Sequence, residues 1–214
     1  MAYRVSYRGS PGFSLGPMGF LILANLILYV ATSIRPRLFI DLFGLSRHSL
    51  ISYPWTIVTN MFIHAPFPSI SHILANMLTL YFFGSFLMRL VGERNFLIVY
   101  FLGGLLGNIV YLLLAPPFAI AIGASGAVFA VGGAMAVLRP KLTVFIFPIP
   151  APIPLWAAVI GGFLLLGIAL PALLSSSLSS SSLSFRIAWQ AHLGGLVFGL
   201  VAGYLFRRRR RFSY

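Results

Sequence analysis

The sequence contains no cysteine, and among its 214 residues it has only two acids, Asp41 and Glu93. The first absence excludes disulfides and thiol nucleophiles. The second excludes more. An aspartyl protease built into a membrane needs two carboxylates within reach of each other, and the apolar runs offer none. A zinc hydrolase of the HExxH type needs a glutamate base between its histidines, and that motif is missing. Proton-coupled carriers usually rely on carboxylates in mid-membrane. What the counts leave is a serine paired with a histidine base, with no metal or cofactor, or no chemistry at all.

What is abundant is apolar. Hydrophobic residues make up 59% of the chain and charged residues 8%, a composition foreign to a water-soluble domain. Long apolar runs without strand alternation read as membrane helices, each needing about 20 residues to cross the hydrocarbon core. Six spans are expected, at about 16–33, 72–91, 95–114, 123–138, 153–172 and 187–206. The fold class is therefore an all-α polytopic membrane protein. Its divisions are an N-terminal segment 1–15, a six-helix domain 16–206 and a basic tail 207–214. The fourth span is short, which predicts that it tilts little or begins below the membrane surface in a protein-lined cavity.

Charge gives a separate test of topology. With both termini inside, Arg4, Arg8, Arg89, Arg94, Arg139, Lys141 and Arg207 to Arg211 lie on the cytoplasmic side, and only Arg35, Arg37, Arg47 and Arg186 lie outside. The positive-inside rule favours that orientation. The run RRRRR at 207–211 then reads as a helix anchor that attracts anionic lipid, not as a nucleic-acid site. Arg4 and Arg8 ahead of an apolar run, with Ala31-Thr32-Ser33 after it, also resemble a signal peptide. Five remaining spans would fit the charges less well. The lack of a targeting segment suits the plasma membrane of a prokaryote.

The long connection at roughly 34–71 is not hydrophilic. It carries Phe39, Leu42, Phe43, Leu45, Leu50, Ile51, Trp55 and Phe62, which predicts short helices lying partly in the outer leaflet. FPIPAPIPLW (147–156) predicts an extended linker. SSSLSSSSLSF (175–185) predicts a low-complexity connector, or a flexible cap over whatever opens outward.

Of four histidines, His48 and His64 fall in the long connection, His72 opens the second span and His192 lies near the start of the sixth. Ser125 stands near the start of the fourth span, in a Gly-x-Ser-Gly turn from Gly123 to Gly126. An up-down topology brings Ser125 and His192 to similar depth on one side. Gly195, Gly199 and Gly203 give span six a smooth face for close approach, and Gly126, Ala127, Ala130 and Gly133 offer complementary small residues on span four. A neutral imidazole within reach of the Ser125 hydroxyl takes its proton and returns it to a leaving amine. His72 and Asn76, four apart on one helix face, place two side-chain donors at the same depth, beside the Ser125 backbone N–H, for a developing oxyanion. The other span polars, Asn25 and Asn108, are expected to cap or bridge helices.

These residues resemble the rhomboid family of intramembrane serine proteases. The resemblance rests on PWTIVTNMFIH (54–64), HILAN (72–76), GASG (123–126) and AHLGGLVFGLVAG (191–203), and covers roughly residues 53–206. It implies a six-helix core, Ser125 as nucleophile, His192 as general base, and His72 and Asn76 on the oxyanion side. It also implies single-span membrane proteins as substrates, cut near the outer face, with helix 5 and the following loop (about 153–185) as gate and cap. The chain departs from the family pattern at three places. Thr56 follows Trp55 where arginine is frequent, Met88 stands where glutamate is common, and Phe129 replaces a tyrosine that packs on the histidine.

Two other readings compete. An inactive relative that escorts membrane helices typically lacks the serine, the histidine or both. A transporter predicts polar residues along a path through the membrane, whereas here they gather in the outer half. The substrate and the oligomeric state are not legible.

Overall fold

A computed structural model of the chain describes residues 16–145, 151–165 and 188–211. Helix α1 (Pro17–Ile34) opens with proline in its first turn, where the missing N–H costs nothing. Three short helices follow, α2 (Pro36–Phe43), α3 (Arg47–Ser52) and α4 (Thr56–Thr59), the last running into a 3-10 turn at Asn60–Phe62. Ser46 caps α3 through a reciprocal pair of bonds with Ser49. Helix α5 (Ile70–Thr79) passes through a widened turn at Leu80–Gly84 into α6 (Ser85–Val91), giving one continuous rod. Gly92, at φ +83°, reverses the chain into α7 (Glu93–Leu114). Then come α8 (Ser125–Leu138), a short ladder of β1 (Thr143–Val144) and β2 (Ile153–Pro154), α9 (Leu155–Gly162) and α10 (Trp189–Arg211).

Four helical stretches are long and apolar enough to cross a membrane: Pro17–Ile34, Ile70–Val91, Glu93–Leu114 and Trp189–Arg209. Two shorter apolar helices, Ser125–Leu138 and Leu155–Leu165, complete the set among the described residues. The helical membrane fold is as expected, with two differences at helix ends. Glu93 is the first residue of α7 and not part of the loop before it, a placement its charge favours at a helix N-terminus. The last helix runs through the arginines to Arg211, because arginine is a good helix former and suits a C-terminus. The remainder of the expected fifth span beyond 165, the serine-rich stretch 175–185, residues 147–150 of the proline-rich stretch and the segment 1–15 lie outside the described residues.

Helix α8 is the centre. Ten of its fourteen residues are buried, and at about 1.5 Å per residue it is too short to cross roughly 30 Å of hydrocarbon. It is gripped on two sides by small residues. A Cβ added at Gly195 or Gly199 of α10 would collide with the carbonyl oxygens of Gly126 and Ala130, and one at Gly203 would lie 2.7 Å from that of Ala134. In return, a Cβ on Gly133 would stand 2.9 Å from the Leu196 carbonyl oxygen. Ala127 departs from expectation. It faces α7, where a Cβ on Gly104 would be 3.2 Å from its methyl group. Helix α8 therefore has two smooth faces, not one, and α10 also closes on α7, with Gly194 set against Leu106 and Gly107.

Candidate active site

Ser125 is the first residue of α8, and His192 lies in the first turn of α10. The glycine contacts draw these two helix starts together, so that His192 Nε2 lies 2.7 Å from Ser125 Oγ. Phe129, one turn beyond the serine, stacks on the imidazole with ring centres 4.6 Å apart and planes 27° from parallel. Phe163 in turn meets Phe129 edge-on at 6.2 Å. The histidine is buried, and its Nδ1 has no partner among the described residues. For Nε2 to accept a proton from the hydroxyl, the proton of the neutral ring must sit on Nδ1. Such a pair can carry nucleophilic acyl transfer without a third, acidic member.

The turn before Ser125 is shaped by two glycine requirements. Gly123 adopts φ +115°, which side-chain-bearing residues rarely reach. A Cβ there would also lie 2.7 Å from His72 Nε2. His72 Nδ1 accepts the backbone N–H of Ala65 at 3.3 Å, so in the neutral ring the proton is on Nε2, the nitrogen that faces the turn. Asn76, one turn further along α5, donates one amide hydrogen to the His72 carbonyl at 2.8 Å, which leaves its second hydrogen uncommitted there. The backbone N–H of Ser125 belongs to the first turn of α8, where no helix carbonyl can accept it. His72 Nε2 on α5 thus faces the turn that leads into Ser125.

The long connection supplies a layer that the sequence did not reveal. Leu45 and Ala121 exchange backbone hydrogen bonds of 3.0 and 2.8 Å. The Gly123 N–H donates to the Asn60 carbonyl at 2.8 Å. The Ala124 N–H points to His64 Nε2 at 3.5 Å. Asn60 and Asn108 bond each other's amides in both directions, at 3.0 and 2.8 Å, and Asn108 also donates to the Ile57 carbonyl at 2.7 Å. Asn108 is thus a bridge, as expected, whereas Asn25 turns back to the Leu21 carbonyl of its own helix. A cavity of about 10 Å³, room for roughly one water molecule, lies between this amide pair and the turn, touching Gly123, Ser125 and Ala191.

His64, which the sequence marks only as a loop histidine, is fully buried, with its ring 5.0 Å from that of His72 in an edge-to-face contact. Burial, reinforced by repulsion from His72 and only partly offset by the Phe62 backbone, holds its pKa down at about 3. The sequence signal was its place at the end of an apolar segment. His48, by contrast, is exposed on α3.

With this geometry in place, comparison with known proteins adds the lineage. The family model described as Rhomboid domain matches residues 52–209. The chain belongs to the rhomboid family. Among similar rhomboids is RHOMBOID-like protein 12, mitochondrial, of Arabidopsis thaliana, 30% identical over 173 residues, 72% of this chain and 47% of that protein. Rhomboid protein 1, mitochondrial, of Saccharomyces cerevisiae is 30% identical over 176 residues, 78% of this chain and 46% of that protein. Rhomboid-like protease 3 of Toxoplasma gondii is 35% identical over 82 residues, covering 38% of this chain and 30% of the relative. The chain thus spans less than half the length of the curated rhomboids it matches. The matched region takes in Ser125, His192, His72, Asn76 and His64, and leaves out α1, α2 and nearly all of α3.

Proposed function

We propose that this rhomboid is an intramembrane serine endopeptidase whose substrates are transmembrane segments of other proteins. The observation that carries the reading is the 2.7 Å approach of His192 Nε2 to Ser125 Oγ at the start of a short, buried helix. In the first half-reaction Oγ bonds to the scissile carbonyl carbon while its proton passes to His192 Nε2. The carbonyl oxygen takes up the negative charge and meets the Ser125 N–H, the His72 Nε2–H and the free hydrogen of Asn76. The tetrahedral species collapses by breaking the C–N bond, and the imidazolium gives its proton to the departing amine. Water then repeats the sequence on the acyl-enzyme and restores the serine.

The helix order puts the exposed cations Arg89, Arg94, Arg139, Lys141 and Arg207 to Arg209 at the bundle end remote from Ser125. Cations gather on the cytoplasmic face of plasma membranes, which supports a multi-pass orientation with the site toward the outer face and anionic lipid at the basic end. The test is labelling of the detergent-solubilised protein with a fluorophosphonate probe. Wild type is expected to label, and Ser125→Ala and His192→Ala are expected not to. Failure of well-folded wild type to label would overturn the reading and leave Ser125 as a packing residue.

A further inference from the structure

The last carbonyls of a helix have no helical partner, and at a membrane surface each needs another donor. At the end of α7, two of these are taken by a single side chain from a distant part of the chain. Arg47 donates Nε to the Leu112 carbonyl at 2.6 Å and Nη2 to the Leu113 carbonyl at 2.8 Å. The fork of the guanidinium satisfies both at once, and its charge complements the helix C-terminus. Lysine has no such fork. The same helix carries Asn108 one turn back, bonded to Asn60.

Two residues before Arg47, Leu45 pairs through its backbone with Ala121, itself two residues before Gly123. Leu45 is fully buried, and the Gly44 backbone beside it packs on Ile120 and Ile122. The turn that presents Ser125 is therefore held from outside α8 by Leu45, by the Asn60 carbonyl and by His64. Ser49 Oγ, Trp55 Nε1 and Thr59 Oγ1 hold the Gly44, Leu42 and Phe43 carbonyls from within the long connection, and the fork of Arg47 ties the Leu45 segment outward to the end of α7. We infer that Arg47 is a positioning residue: by clamping the long connection to the end of α7, it holds the Ala121–Ala124 turn in the geometry that aims the donors beside Ser125. Arg47 and Leu45 both lie outside the matched family region, 52–209, so this support belongs to the chain's own preceding segment.

The inference rests on the protease reading for its kinetic consequence but not for its structural one, and the experiment reads both. Wild type, Arg47→Ala, Arg47→Lys and, as a charge control, Arg37→Ala are compared in detergent by hydrogen–deuterium exchange and by the rate of fluorophosphonate labelling per folded molecule. In Arg47→Ala the amides of Ala121, Gly123 and Ala124 are expected to exchange at least tenfold faster. Amides in the middle of α8 should be unchanged, and labelling should slow by about 10- to 100-fold. Arg47→Lys should fall between, and Arg37→Ala should match wild type. Unchanged turn amides in Arg47→Ala overturn the inference whether or not the protein labels. Wild type that does not label, together with a turn loosened in Arg47→Ala, overturns the protease reading and keeps the clamp. If Arg47→Ala fails to fold, Arg47→Lys decides: exchange and labelling equal to wild type would show that charge alone suffices and that the fork does no positioning.

Discussion

At the scale of the residue, the site depends on atoms that are present and on atoms that are missing. Ser125→Ala deletes one hydroxyl from a tightly packed turn, so the thermal midpoint should stay near that of wild type while turnover of a transmembrane substrate vanishes. Asn76→Ala should be milder, lowering the rate by roughly 10- to 1000-fold, because other donors remain. Equal loss in Asn76→Ala and Ser125→Ala with intact folding would contradict the division of roles. The missing atoms matter at Gly123. An alanine there must adopt φ +115° and push against His72 Nε2, so Gly123→Ala should lose both labelling and thermal stability, measured on one preparation. His64 adds a pH dependence. The folded protein keeps it neutral down to about pH 3, whereas an unfolded chain takes up a proton near 6.5. Below pH 6.5 the unfolded state therefore binds the extra proton, and stability falls as pH drops from about 6.5 toward 3. The melting temperature should show that fall, and more shallowly in His64→Gln.

At the scale of the element, helix pairs set the distances that the residues need. A methyl group at Gly195 has only the Gly126 backbone to move against, so Gly195→Ala must push α10 away from α8 and with it His192 from Ser125. Slowed fluorophosphonate labelling with the helical content retained is the expected result. The amide pair is a separate joint. Asn108→Leu leaves the Asn60 amide buried without its partner, at a cost of about 1–3 kcal/mol, which chemical denaturation in mixed micelles would register. The helices themselves were legible in the sequence because hydropathy and length suffice: the expected starts of α5, α7, α8 and α10 lie within two residues of those observed. That Ser125 and His192 stand at helix ends on one side of the bundle was legible for the same reason, since up-down connection fixes which ends share a side. The contacts that the segment 44–64 makes with the turn before Ser125 were not. Its bonds to the turn run through backbone groups of Leu45 and Asn60, which leave no mark on composition, and the side chains of His64 and Asn60 look like ordinary loop residues until the chain is folded. Ala127 was placed toward the wrong neighbour because a helix with small residues all round gives no sign of which face meets which partner.

At the scale of the whole molecule, polarity is divided along one axis. The end that carries Ser125 holds His64, His192 and the Asn60–Asn108 pair, with the exposed Arg35, Arg37 and Arg47, and the opposite end holds the larger set of exposed cations, Arg89, Arg94, Arg139, Lys141 and Arg207 to Arg209. Reversing that bias with acidic replacements at Arg207 to Arg209 should increase the share of molecules inserted the other way round, which protease protection of a tagged end in sealed vesicles would detect. The three-way contact of α7, α8 and α10 has a consequence for anyone who maps such a protein by exhaustive mutagenesis. Gly107, Gly194, Gly195 and Gly199 would score as intolerant as the serine, although their part is to let backbones approach. A heat map of lost function would outline a long seam through the bundle, and only the chemistry of each position would tell a reacting group from a packing one.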